Sequence, residues 1–119
     1  MSFAEFEFDS RIHSGITACG FTEPTQVQQQ ATAPGLEGRD VMGLAQTGTG
    51  KTAAFVLPIL QHLLQGRRGR VRSLILSPTR ELAEQTYQSF RDLGRKTGLK
   101  AVTVYGGVSK SGQINKLRS

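Results

Sequence analysis

With 119 residues, 37% of them apolar, the chain can bury one compact core of modest size and no more. No run of about 18 apolar residues occurs, which excludes a helical membrane span, and the single cysteine, Cys19, excludes an internal disulfide. The net charge of +6 is uneven: residues 1–50 hold two basic and six acidic side chains, whereas residues 51–119 hold thirteen and three. That asymmetry fits a polyanion meeting the second half, or a solvated basic surface.

A lone thiol suits a reducing compartment, and a cytoplasmic location is expected. The first residues lack a basic region followed by an apolar block, so no secretory signal is expected. Neither His13 nor His62 has a partner at metal-ligand spacing, and both read as ordinary surface or boundary residues.

In chain order, Phe3, Phe6 and Phe8 stand among acidic residues without a helical period. They are either anchors for an N-terminal arm or stacking groups for a flat ligand. Asp9 or Ser10 can cap a short helix bearing Ile12 and Ile16 on one face, closed by Gly20. Pro24 then turns Glu23 away from helical geometry. Thr25 and Gln28 have the spacing of a capping box, predicting a helix that Pro34-Gly35 ends near Ala33. Gln28 is therefore a cap, or a reader of adenine through one acceptor and one donor.

Val41 to Leu44 reads as a buried strand, followed by Ala45-Gln46-Thr47-Gly48-Thr49-Gly50-Lys51-Thr52 and a helix-forming run, Ala53 to Leu64. A glycine-rich turn between strand and helix, ending in Gly-Lys-Thr, is the pattern of a phosphate-binding loop. Gly48 and Gly50 let backbone N–H groups converge on one point, and the helix start favours an anion. Lys51 can reach outer phosphates, and Thr52 can offer a hydroxyl to Mg²⁺. Ala45 replaces the usual leading glycine, which is harmless if its φ is negative.

Pro58 should bend the following helix or remove one of its bonds. Gly66-Arg67-Arg68-Gly69-Arg70 reads as an exposed basic loop, able to touch nucleic acid or merely solvated. Val71 to Leu76 is a second predicted strand, and Thr79 a cap for a helix carrying Leu82, Ala83, Tyr87, Phe90 and Leu93 inward, ended by Gly98. Arg80 and the free amides at that helix start form a second candidate phosphate site. Ala101 to Tyr105 is a third predicted strand, the Gly106-Gly107 pair follows, and another helix begins near Ser109. The alternation of strand and helix predicts an α/β fold with a parallel sheet and helical crossovers.

Three motifs thus stand in order: Gly20-Phe21 to Gln28, Ala45 to Thr52, and Pro78-Thr79-Arg80-Glu81-Leu82. They resemble the Q motif, motif I and motif Ia of DEAD-box RNA helicases, and Gly106-Gly107 is similar to that family's glycine doublet. The one small departure is Gln26, where the family usually has proline. The resemblance covers the whole chain as a single partial domain, 1–119. It implies a P-loop NTPase, RecA-like parallel sheet with flanking helices, incomplete because the chain stops early. It also implies ATP and Mg²⁺ as cofactors and RNA as partner. Nucleotide binding would fall to Phe3, stacking on adenine, with Glu23, Gln28, Gln46, Thr47, Gly48, Thr49, Gly50, Lys51 and Thr52. Lys51 and Thr52 would be the catalytic positions, and Thr52 would meet the metal. Pro78, Thr79, Arg80, Gly106 and Gly107 would face the RNA backbone, which explains recognition with little sequence preference.

The Asp-Glu-Ala-Asp segment that would hold Mg²⁺ and orient water does not occur in these residues. The expectation is a piece of a helicase that binds nucleotide without hydrolysing it or unwinding RNA. The alternative is a non-catalytic adenine-nucleotide or RNA-binding module. An incomplete sheet would further lead to self-association through unpaired edges.

Overall fold

The structure is a computed structural model that describes residues 2–46, 48, 50–106 and 110–118. A short 3₁₀ turn, Phe3–Glu5, precedes five helices: α1 (Ser10–Ala18), α2 (Gln26–Leu36), α3 (Lys51–Leu63), α4 (Arg80–Leu93) and α5 (Lys110–Arg118).

The local signals act where the chain order placed them. Asp9 caps α1, its carboxylate accepting from the Arg11 amide at 2.9 Å and from the Arg11 side chain at 2.9 and 3.1 Å. At the other end Gly20, with φ +78°, lets its own amide reach Thr17 O and the Phe21 amide reach Ile16 O, a Schellman closure. Thr25 and Gln28 form the expected capping box at the start of α2. Thr79 Oγ1 accepts from the Leu82 amide at 3.1 Å and starts α4.

One apolar core gathers Phe3, Phe6, Phe8, Ile12, Ile16, Ala53, Val56, Leu57, Leu60 and Leu93. Its centre is α3, which is buried at six of its thirteen positions. Each large aliphatic side chain sunk there contributes about 2 kcal/mol of burial. Two close crossings set the spacing of the helices around it. A Cβ on Gly15 would lie 2.0 Å from the Leu93 carbonyl oxygen, so α1 meets α4 backbone to backbone. A Cβ on Gly35 would lie 3.0 Å from Pro58 Cγ, so α2 rests on the proline ring of α3.

That second contact corrects one expectation. Pro34-Gly35 does not end α2 near Ala33; the helix continues to Leu36. Proline forfeits only one helical bond, and the packing of Gly35 on Pro58 favours another turn. The late end expected for α4 is also corrected. That helix stops at Leu93 with Gly94 as its cap, and Gly98 (φ +73°) turns the chain afterwards.

The parallel sheet is not formed. Among the described residues there is no strand, and no backbone hydrogen bond joins residues 41–46, 71–77 and 101–105 to one another. Aliphatic runs favour a pleated, half-buried surface, but a strand exists only through a hydrogen-bonded neighbour. Consecutive strands in a helical-crossover order need not be neighbours. Here the three runs lie open, with Met42 87%, Leu44 89% and Leu76 87% exposed. The described part of the chain is helical, and it has no sheet edges through which copies could pair.

Candidate functional site

The first site is built where α2 and α3 begin. Gln28 is 4% exposed and has both ends of its amide engaged. Its Oε1 accepts from the Thr25 amide at 2.9 Å, and its Nε2 donates to Gly50 O at 3.1 Å. The cap of α2 is thereby tied to the residue that caps α3.

Gly50 has φ +86° and Gly48 has φ +82°, both left-handed. Gly50 is confined further, because a Cβ there would stand 2.4 Å from Gln28 Nε2 and 2.9 Å from Thr25 Oγ1. Every positive-φ residue among those described is glycine, so Ala45 adopts an ordinary conformation. Lys51 opens α3 and is exposed, Thr52 follows and is half-buried, and Gln46 is exposed ahead of the turn. Thr47 and Thr49 lie outside the described residues.

A cleft of about 360 Å³ adjoins this junction, lined by Cys19, Phe21, Gln28, Gly50, Thr52 and Arg95 among others. The aromatic ring at the cleft is Phe21, which is 40% exposed. Phe3 lies behind it, 4% exposed, with ring centroids 6.2 Å apart and planes 24° apart. Phe3 is thus packed in the apolar core, with Phe21 between it and the cleft. Phe21 was missed as a lining residue, although its place inside the first motif was a usable signal. Glu23 is exposed in the link between α1 and α2.

The second site lies at the start of α4. Pro78, Thr79 and Arg80 are exposed there. Arg80 Nη2 donates a short hydrogen bond to Gly106 O, and its guanidinium carbon lies 5.0 Å from the centroid of the Tyr105 ring. The structure thus brings Arg80 and the first glycine of the doublet together; Gly107 lies outside the described residues. The Tyr105 hydroxyl donates to Glu84 Oε1 at 3.0 Å. That bond to a carboxylate pushes the phenol's pKa above its ordinary value.

Two arginines near the basic loop have structural work. Arg72 donates to the carbonyls of Leu63, Gln65, Arg67 and His62, so it caps the carboxyl end of α3. Arg68 donates to Thr97 O at 2.7 Å. Both histidines bond backbone carbonyls. His13 Nε2 bonds Phe6 O and His62 Nε2 bonds Gly35 O, and no metal-holding cluster occurs among the described residues.

Residues 25–119 match the DEAD/DEAH box helicase family. The ATP-dependent RNA helicase SrmB of Escherichia coli strain K12 is 50% identical over 111 residues, covering 91% of this chain and 25% of SrmB. The ATP-dependent RNA helicase CshA of Listeria monocytogenes is 42% identical over 116 residues, covering 98% of this chain and 22% of that protein. A DEAD box protein from the hyperthermophile Methanococcus jannaschii has a TM-score of 0.92 at 33% identity, over 99% of this chain and 32% of that one. The RNA helicase Prp28 from Chaetomium thermophilum, solved bound to ADP, has a TM-score of 0.86 at 34% identity, over 98% and 30%. The chain belongs to the DEAD-box ATP-dependent RNA helicases and corresponds to the N-terminal portion of their first RecA-like domain. It spans about a quarter of SrmB and about a third of the archaeal structure.

Proposed function

We propose that the chain is the ATP-binding portion of an RNA helicase that remodels or locally unwinds RNA duplexes at the expense of ATP. The observation that supports this reading is the bond from Gln28 to Gly50, which joins the amide assigned here to adenine to the turn assigned to phosphate. In this reading the phosphates lie over Gly48, Gly50 and the first amides of α3, with Lys51 neutralising their charge. Thr52 offers its hydroxyl to the Mg²⁺ that accompanies the nucleotide. The second hydrogen of the Gln28 amide, and the cleft beside it, serve the base. Arg80 meets an RNA phosphate, and Pro78, Thr79 and Gly106 lie along the same backbone.

These 119 residues hold no Asp-Glu-Ala-Asp segment to orient water, so by themselves they bind nucleotide without turnover. Calorimetric titration with ADP and with GDP, each with Mg²⁺, tests the reading. Binding of ADP in clear preference to GDP is expected. Equal binding of both removes the adenine role of Gln28, and binding of neither removes the site from this chain. RNA-stimulated ATPase activity of the pure chain would refute the absence of turnover.

A further inference from the structure

Arg80 is a long, exposed side chain at the first position of α4, and free in solution it would sample many rotamers. Immobilising such a side chain costs rotamer entropy. Among the described residues it makes two contacts. One donor reaches Gly106 O and one face of the guanidinium lies over the Tyr105 ring. A guanidinium has five N–H groups, so most remain for an outside acceptor.

Tyr105 is itself held at its backbone and at its hydroxyl. Its amide donates to Gln113 Oε1 of α5 at 2.8 Å, and its hydroxyl donates to Glu84 Oε1 at 3.0 Å. Glu84 stands four residues after Arg80, on the same helical face, where an acid and an arginine ordinarily pair. They do not pair here. Arg11–Asp9 and Arg39–Glu37 are the ion pairs among the described residues, and the Glu84 carboxylate takes hydrogen bonds from Tyr105 and, at 3.2 Å, from Thr103. Both hydroxyls bond the same oxygen, Oε1, and hold the Glu84 carboxylate on Tyr105 and Thr103 rather than on Arg80.

We propose that Tyr105 is a positioning residue for Arg80. Its ring carries the guanidinium and its hydroxyl draws Glu84 aside, leaving the arginine's charge for an RNA phosphate. The inference rests on the RNA-contacting role proposed above for Arg80. It makes a particular demand on Tyr105→Phe. That variant keeps the ring and leaves Glu84 only the longer bond from Thr103, so the carboxylate can turn to Arg80 and affinity for RNA falls. Adding Glu84→Gln removes the competing charge and restores it.

The test is fluorescence anisotropy of a labelled oligouridylate with the 119-residue chain at low salt. Losing one phosphate contact should weaken binding about fivefold in Arg80→Ala and lower the log–log salt slope by about one. Tyr105→Phe should approach that loss, and Tyr105→Phe/Glu84→Gln should return to within about twofold of the parent. If Arg80→Ala weakens binding and Tyr105→Phe does not, the positioning role is overturned and the RNA reading stands. If Arg80→Ala leaves binding unchanged, or the parent chain does not bind, the RNA reading fails and the inference with it. An independent readout needs no RNA. Absorbance titration should find one of the two tyrosines ionising at lower pH in Glu84→Gln than in the parent, and no change overturns the link between Glu84 and Tyr105.

Discussion

Gly48→Ala and Gly50→Ala make a matched pair for testing the brace between the first motif and the phosphate loop. Both glycines have left-handed backbone, with φ +82° and +86°. An alanine in that conformation costs about 1–2 kcal/mol at either position. A Cβ on Gly48 meets nothing within 4 Å, so the cost there ends with the backbone. A Cβ on Gly50 meets Gln28 Nε2 at 2.4 Å, where ordinary contact begins at 3.4 Å. The amide must retreat by about 1 Å, which takes the 3.1 Å bond to Gly50 O out of range. The amide is rigid, so its bond to the Thr25 amide suffers too. Each lost hydrogen bond costs about 1 kcal/mol, giving about 3–4 kcal/mol in all for Gly50→Ala. Urea unfolding followed by helical circular dichroism should therefore separate the two variants by about 2 kcal/mol. In a Gln28→Ala background most of that difference should vanish, because the obstructing amide is gone. Equal costs for the two glycines, or a difference that survives Gln28→Ala intact, would refute the brace.

Three further outcomes follow from other parts of the molecule. Thr32 is fully buried and its Oγ1 has no hydrogen-bond partner among the described residues, so Thr32→Val should stabilise the chain by about 1 kcal/mol, read as a higher urea midpoint. Arg72→Ala removes a cap from four carbonyls near the end of α3 and should lower stability by about 1–3 kcal/mol, while nucleotide affinity at the opposite end of that helix is unchanged. Hydrogen bonds from Arg11 hold the Asp9 pKa at about 2 rather than its ordinary 3.8. The stabilisation this gives is complete above pH 3.8 and fades as pH falls toward 2, so Asp9→Asn should flatten the acid limb of a stability–pH profile in that window.

What could be read from the sequence was what is decided within a few residues. Asp9, Thr25 and Thr79 each cap a helix because the amides they satisfy lie two or three positions away. The glycines of the phosphate loop were readable for the same reason, since a tight turn is a local demand. The sheet was not readable, because an aliphatic run states a preference for burial and says nothing about which segment lies beside it. Val71 to Leu76 has the composition of a strand and no strand forms there among the described residues. From the sequence, Phe3 alone was named for the cleft, and Phe21 was passed over. Which ring faces a cleft depends on how the N-terminal arm folds back over α1. Arg72 was not readable as a cap, because it stands nine residues past the end of α3 and reaches those carbonyls only where the loop turns back. The bond from Gln28 to Gly50 spans 22 residues and belongs to tertiary structure alone.

The backbone contact between Gly15 and the Leu93 carbonyl has a consequence for how the molecule opens. Helices that touch without intervening side chains cannot part by a rotamer change; they separate together or not at all. Amide protons in α1, α3 and the later turns of α4 should exchange with solvent as one slow cohort, at the rate of global unfolding. Those of residues 41–46, 71–77 and 101–105, which have no ladder to protect them, should be replaced far sooner. Deuterium uptake would then divide the chain by its contacts rather than by its order, with the N-terminal arm in the same kinetic class as a helix eighty residues away.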